Sequence, residues 1–405
     1  MQPQSTRIGI LGAGIMGASL ALLLARRGFR VDLLDRAAAP LTGASRWNEG
    51  KIHLGYLCGA DPTLGTARRM IPGGLRFAPL IAELAGADLA THTTPRDDLL
   101  LVHRDSVVPA EALAATLARV SALVRDAAAC GRYLSDLSKV AAKPLSTRAL
   151  ARVADPATIT AGFVTPERSI DTRWVADRLC DALAAEPRIA FRPGIAITRA
   201  APIESPDGPW RVEGTPDFGE AYDVVINALW HGRLAIDLTA GLDSGPPWSN
   251  RYRLSLFVRT GKPLDPPSAV VGVGPFGDVK AYGGSRYYLS WYPAGLRAES
   301  HAVCPPEPAT LSETERQRIV SEVRAGLAGV LPWTGEILDA AEEVRVEGGF
   351  VFAQGQGALS DPRSTLHRRD RFGVRRRGRY YSVDTGKYST APALAEDLGR
   401  EIAGA

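Results

Sequence analysis

Gly12, Gly14 and Gly17 stand at G-x-G-x-x-G spacing directly behind the apolar run Arg7–Leu11. The chemistry that this arrangement supports is the holding of a pyrophosphate. The first glycine allows a tight turn, the second lets the backbone approach the phosphates, and the third lets a helix pack close to its strand. The apolar, small-residue stretch Met16–Arg27 reads as that helix, with its first N–H groups aimed at the phosphates. Ala21 and Gly28 extend the pattern, and Arg30–Leu34 reads as a second strand. Asp35 follows it, about 20 residues past the glycines, where a carboxylate accepts from ribose hydroxyls. Gly12, Ala13, Gly14, Met16 and Gly17 are therefore candidate dinucleotide contacts, with Asp35 and Arg36 beside the ribose. Asp35 favours an unphosphorylated ribose as in NAD or FAD, and Arg36 leaves room for NADP. The glycines alone do not separate a flavin from a nicotinamide.

A nicotinamide enzyme usually continues with further strand–helix units. Here the chain runs instead into small, polar, Gly-rich sequence from Ala37 to Gly65, which suits a loop laid along a long ligand. Within it, "GASRWNEGKIHLGY" (Gly43–Tyr56) resembles the second flavin-contacting segment of the D-amino-acid-oxidase-like FAD oxidoreductases. That superfamily includes glycine and sarcosine oxidases, glycerol-3-phosphate dehydrogenases and L-2-hydroxyglutarate dehydrogenase. Its members carry Ser, a polar residue, Gly, a hydrophobe and His in this window; here these are Ser45, Asn48, Gly50, Ile52 and His53. The run Gly50-Lys51-Ile52-His53-Leu54-Gly55-Tyr56 most resembles the hydroxyglutarate dehydrogenase branch. The closing segment "YYSVDTGKYSTAPALAEDLGREIAG" is similar to the family's C-terminal strand, loop and helix, which reach the flavin ring. "AYDVVINALWHGRL" resembles the strand that approaches the adenine, ending at Ala228, although Leu229 and Trp230 replace the usual glycine.

The resemblance implies FAD, bound without a covalent link. It implies contacts from Ser45, Asn48, Lys51, Ile52 and His53, and from Gly386, Lys387, Tyr388, Ser389 and Thr390. Ile195 and Ala228 are further candidate cofactor contacts. Lys387 would stabilise negative charge on the reduced ring; its alternative is a surface lysine at a turn. His53 has three readings: a base for a substrate proton, a covalent attachment point, or a plain hydrogen-bonding residue. Cys58 is a further possible anchor, against the commoner reading of a buried thiol. In such enzymes the flavin carries the redox step and the protein orients the substrate. A carboxylate clamp is then expected from arginine. Tyr252 and Arg253 on one strand, and Arg286 and Tyr288 on another, are the candidates. Alternation puts Arg286 and Tyr288 on one face and Tyr287 on the other. The competing role for these side chains is packing on a half-exposed strand.

Positioning these residues requires an α/β fold. The expected arrangement is a discontinuous, Rossmann-like FAD-binding domain (1–84, 165–240 and 348–405) and a second α+β substrate domain built on a mixed sheet (85–164 and 241–347). "SIDTRWVADRLCDALAA" has helical spacing with Ser169 or Asp171 as N-cap. "IAFRPG" and "IAITRA" read as strands, and residues 108–137 read as a helix. "RYRLSLFVRT", "SAVVGVG", "VKAYGG" and "RYYLSWYP" read as short alternating strands. Ser312 with Glu315 forms a capping box ahead of a further helix.

Composition narrows the function classes. At 405 residues the chain is long enough for a sizeable core, and its net charge of +4 predicts no nucleic-acid partner. The Arg-rich run 367–379 reads as a solvated hairpin, or as an anion-attracting rim. Cys58, Cys130, Cys180 and Cys304 form no C-x-x-C pair and the six histidines are scattered, so neither a disulfide framework nor a metal is expected. No signal peptide or transmembrane segment is legible, and a cytoplasmic location is expected. The reading is an FAD-dependent oxidase or dehydrogenase that removes a hydride from the C–N or C–O carbon of a small amino or hydroxy acid or related metabolite, with an unspecified electron acceptor. One alternative is an FAD-dependent biosynthetic tailoring enzyme with a larger substrate; the other is an NAD-dependent dehydrogenase.

Overall fold

The computed structural model describes residues 5–128 and 133–404; Cys130 and part of the helix expected over 108–137 lie outside them. Strand β1 (Arg7–Leu11), helix α1 (Ile15–Arg26) and strand β2 (Arg30–Leu34) form within a residue of expectation. The reason is visible in burial: Ile15 to Ala25 is buried on every side, so a continuous apolar run is what this helix needs. Gly12 turns the chain at φ +99°. A Cβ on Gly17 would come within 1.9 Å of the Gly12 carbonyl, so only glycine lets α1 approach the turn.

β1 lies inside a six-stranded sheet of order 373–377, 380–384, 224–227, β1, β2 and 189–192. All pairings are parallel except the antiparallel hairpin Gly373–Arg377/Tyr380–Asp384 at the edge. Helix α2 (Gly65–Ala85) and the C-terminal helix Ala391–Gly404 pack with α1, sharing the core around Leu20, Phe77, Ile81 and Leu398. A separate antiparallel trio, Ala196–Pro202, Trp210–Thr215 and Phe218–Tyr222, packs Trp210 and Val212 beside this sheet.

A nine-stranded, mostly antiparallel sheet forms the other layer. Its longest pair is Ser249–Thr260 against Ala341–Ala353, and Ala269–Gly272 runs parallel to Asp98–His103. The boundary expected at 348 falls inside the strand Ala341–Ala353, because that strand is continuous in its pairing from Ala341 to Ala353. Helix Glu313–Ala328 carries the capping box of Ser312 and Glu315 and covers this sheet with Ile319, Val323 and Leu327. Helix Thr172–Ala185 is capped by Asp171, whose carboxylate accepts from Arg173 N. The described part of the 108–137 segment is helical from Ala110 to Ala127. Among the described residues no helix is long and apolar enough to cross a membrane.

The two layers are joined by buried charge. Lys51 donates to Asp98, and also lies 3.3 Å from Glu167; Lys280 donates to Asp98 at 2.6 Å. All four side chains are at most 2% exposed. Glu167 Oε1 accepts from Leu54 N (2.7 Å) and Tyr56 N (3.2 Å), which pins the segment after Lys51. Burial pushes the Asp98 carboxyl up, but the charges of Lys280 and Lys51 and their hydrogen bonds hold it below its ordinary range. A carboxyl depressed in this way stabilises the fold above its unfolded pKa, near ~3.9, and the contribution is lost as pH falls through the lower folded value. Asp98→Asn should therefore cost about 3–5 kcal/mol in urea unfolding at pH 7. The gap between wild type and variant should narrow in acid, as wild-type Asp98 itself becomes protonated.

Candidate active site

An extended cavity of about 930 Å³ runs between the two layers. Its first end is the glycine turn. Gly12, Ala13, Gly14 and Met16 line it, together with Asp35 and Arg36. Asp35 is less free than expected of a ribose acceptor. Its Oδ2 accepts from Ala13 N at 2.7 Å and its Oδ1 from Ala37 N at 2.9 Å, which leaves each oxygen one lone pair for a ligand. Arg36 is exposed and paired with Glu307. Ser45 Oγ accepts from Ile15 N at 2.9 Å and so caps the start of α1. Ile195 and Ala228 close this end. Where the usual glycine after Ala228 is missing, Trp230 takes the left-handed conformation that glycine adopts freely, with φ +56°. Such strain costs on the order of 1–3 kcal/mol. Its indole holds it there, donating to Phe350 O at 2.7 Å.

The middle of the cavity is lined by Asn48, Lys51 and His53 from one loop and by Gly386, Lys387 and Tyr388 from another. The second loop is set by Gly386 at φ +66° and by Asp384, whose carboxylate accepts from Gly386 N at 2.9 Å. Beneath it lies a buried cluster. Asp237 accepts from Asn227 (2.9 Å), Arg233 (2.8 Å), Tyr380 (2.8 Å) and Ser382 (2.7 Å), binding three elements together. Four expected contacts do not reach the cavity. Ile52 is fully buried in the core around α1. Gly17 abuts the Gly12 carbonyl instead. Ser389 Oγ accepts from His53 N at 3.1 Å, and Thr390 Oγ1 donates to Lys387 O at 2.7 Å. They shape the wall rather than form it.

His53 is 1% exposed and its Nδ1 has no hydrogen-bond partner among the described residues. Burial, then the charges of Lys387, Lys51 and Lys280, push its pKa well down, so the ring is neutral at pH 7. Lys387 is also pushed down by burial, which outweighs the opposing charge of Glu49. Burial raises the Cys58 thiol to about 12, so it is a protonated thiol in the cavity wall.

The far end lies against the large sheet. Arg251, Arg253 and Ser255 alternate onto the cavity face of one strand, and Tyr252 also lines it. Tyr288 comes from the neighbouring strand, its hydroxyl accepting from Ser255 Oγ at 2.9 Å. Arg253 donates to Ser290 Oγ at 2.8 Å and stacks over Tyr292 at 4.5 Å. The alternation of 286–288 holds, with Tyr287 turned away to Leu264. Arg286, however, does not line the cavity. It lies at the strand's start and pairs with the N-cap carboxylate of Asp171 at 2.9 Å.

Sequence reading missed Glu49, Arg251, Asp278 and Arg369, all of which line the cavity. Arg251 was two residues from Arg253 on a strand read as alternating, so its place was accessible. Arg369 was hidden in the Arg-rich run read as solvated. It is half-buried instead, its Nε donating to Leu366 O at 3.0 Å, and burial with the Arg251 charge pushes it down to about 9.

The wall fits FAD on several counts. The glycine turn leaves no space for a Cβ, since one on Gly12 would lie 2.7 Å from the Ala228 carbonyl. Arg251 Nε, Arg253 Nε, His53 Nδ1 and Tyr388 Oη are buried without a hydrogen-bond partner among the described residues. A buried donor left so is costly, which points to a polar ligand beside them.

Known structures share this fold. Glycine oxidase from Geobacillus kaustophilus superposes with a TM-score of 0.67 at 16% identity, covering 98% of this chain and 95% of that one. Iminodiacetate oxidase from Chelativorans sp. BNC1 gives 0.63 at 17% identity, over 98% and 94%. The L-alpha-glycerophosphate oxidase from Mycoplasma pneumoniae with FAD bound gives 0.63 at 15%, over 98% and 94%. The family model of FAD dependent oxidoreductases (DAO) matches residues 7–340. The chain thus belongs to the DAO family of FAD-dependent oxidoreductases, and FAD, not a nicotinamide, is its cofactor.

Proposed function

We propose that this flavoenzyme oxidises a small amino or hydroxy acid, taking a hydride from the carbon that bears the nitrogen or oxygen. The observation that carries the reading is the polar end of the cavity, where Arg251 and Arg253 present unpartnered Nε donors. Buried guanidinium groups of this kind suit a carboxylate. Enzymes that share the fold are compatible with it: glycine oxidase, iminodiacetate oxidase and L-proline dehydrogenase are named for amino acids.

In this reading Gly12–Met16 and the first N–H groups of α1 hold the pyrophosphate, and Asp35 with Arg36 holds the adenosine ribose. Ile195 and Ala228 flank the adenine side. Ser45, Asn48, Lys51, His53 and Gly386–Tyr388 surround the ring, and the bond to the protein is non-covalent. Bound FAD supplies a two-electron hydride acceptor. The residues do the rest. Arg253, Arg251 and Tyr288 orient the carboxylate, with Tyr252 beside them. Lys387 places positive charge where the ring becomes more negative. Neutral His53 accepts or donates a hydrogen bond without bringing charge. The two layers form an FAD-binding and a substrate domain, and a cytoplasmic location with reduced thiols belongs to the same reading.

Four outcomes test it. Heat or acid should release FAD from yellow wild-type protein, leaving the precipitate colourless. Gly12→Val should purify with little or no flavin while keeping most of its secondary structure by circular dichroism. In anaerobic mixing, at least one small amino or hydroxy acid should bleach the flavin band near 450 nm. Lys387→Met should slow that bleaching tenfold or more, a barrier increase of about 1.4 kcal/mol. FAD-loaded protein bleached by no small acid would favour the tailoring alternative.

A further inference from the structure

Two carboxylates on the cavity wall have no part in holding FAD or a substrate carboxylate. Glu49 stands on the loop just before Lys51, and Asp278 on the strand Gly277–Tyr282. Loop and strand are tied together, since Tyr282 Oη donates to Glu49 O at 2.8 Å. The contrast with Asp98 is informative. Asp98 is enclosed by Lys51 and Lys280, whereas neither Glu49 nor Asp278 forms an ion pair among the described residues.

The groups that face the pair are mixed in sign. Lys280 and Arg253 face both carboxylates, Lys387 faces Glu49, Lys51 faces Asp278, and the phenol of Tyr288 faces both. Burial raises Asp278 to about 6, opposed by Lys280 and reinforced by Glu49. Burial also pushes Glu49 up, but Lys387 and the other cations outweigh it and hold it low. Titrations that interact in this way belong to the pair. Near neutral pH the cavity wall therefore carries one to two negative charges, along with the positive charges of Arg251, Arg253 and Arg369.

That charge pattern fits a zwitterion. The arginines suit a carboxylate. The acids suit an ammonium group, which offers three donors and cancels their charge. A 2-hydroxy acid would bring only a neutral hydroxyl, which offers the pair one donor and no charge. Hydride loss also needs a neutral amine, because an ammonium nitrogen has no lone pair with which to form the C=N bond.

We propose that Glu49 and Asp278 together seat the substrate's amino nitrogen, bind it as the ammonium and accept one proton from it, so that the substrate is an α-amino or N-alkylamino acid and not a 2-hydroxy acid. In this step one N–H bond breaks, one carboxyl O–H bond forms, and the electron pair stays on nitrogen. The inference rests on the oxidation of a small acid proposed above.

The test uses the FAD-loaded enzyme and matched probes: glycine and glycolate, alanine and lactate, phenylalanine and phenyllactate, the chiral ones as both enantiomers. Flavin bleaching is followed anaerobically between pH 5 and 8, and binding of propionate, which has no amine, is read from the flavin spectrum. Amino members should bleach the flavin and hydroxy members should not. The rate should rise with pH through about 6, as the pair loses its proton. Asp278→Asn should lower the rate at pH 7 at least tenfold and flatten that rise, and Glu49→Gln should raise the amino acid concentration needed for half-maximal rate at least tenfold. Asp278→Glu should restore part of the pH-dependent rate. FAD content and propionate binding should stay within twofold in all three variants, which separates a proton-accepting role from a structural one. Hydroxy acids bleaching as fast as their amino partners would overturn the inference while leaving the oxidoreductase reading intact. So would unchanged rates and pH profiles in both neutral variants. An enzyme that holds FAD and is bleached by no probe would also overturn it, and protein that takes up no FAD would instead sink the reading beneath it.

Discussion

The buried ion cluster of Lys51, Asp98, Lys280 and Glu167 is the constraint on which the rest of the site depends. Four charged groups withdrawn from water are expensive, and their mutual attraction offsets that cost only when the geometry is good. Here each has a job that an apolar residue would not do. Lys51 belongs to a loop that lines the cavity, Asp98 and Lys280 to the large sheet, and Glu167 reaches back to the backbone of Leu54 and Tyr56. The cluster thus fixes the distance between the loop that carries Glu49 and His53 and the sheet that carries Arg253 and Asp278. It also sets their electrostatics, since the two lysines help to keep His53 neutral.

A second set of restraints acts from the other side. Gly73 and Gly74 in α2 bring that helix against Thr390 and the His53 carbonyl; a Cβ on Gly74 would lie 2.1 Å from that oxygen. The Asp237 cluster anchors the strand Tyr380–Asp384 beneath the loop bearing Lys387. Cavity shape is therefore determined by packing and buried hydrogen bonds, while its polarity comes from groups those restraints leave unsatisfied. The same burial that keeps the fold rigid lowers Lys387 and raises Asp278.

Local features of the chain were the legible ones. β1, α1, β2 and the capping box at Ser312 are decided by residues close in sequence and could be placed from it, and of the two caps offered for Thr172–Ala185 the structure uses Asp171. Residues 380–402 were likewise readable as strand, loop and helix. What sequence could not supply was pairing between distant segments. Nothing near Arg286 says that Asp171 will meet it, and nothing near Arg369 says that it will turn inward from an Arg-rich run. Glu49 and Asp278 lie 229 positions apart by number and line one cavity, where Tyr282 binds the loop to the sheet. The strand Ala341–Ala353 crosses an expected boundary for the same reason: its extent is set by its partner Ser249–Thr260.

The strand Val224–Asn227 completes its hydrogen bonding on one side with β1 and on the other with Tyr380–Asp384. During synthesis the first partner exists early and the second arrives some 150 residues later. Until then the nascent sheet carries a bare, apolar edge, and exposed edges of that kind invite pairing with other chains. The cavity loop bearing Lys387 is delivered with the same late segment. A ribosome that stalls or terminates before it would release a chain with the glycine turn present, one cavity wall missing and an open flank, which makes incomplete copies targets for chaperones and proteases.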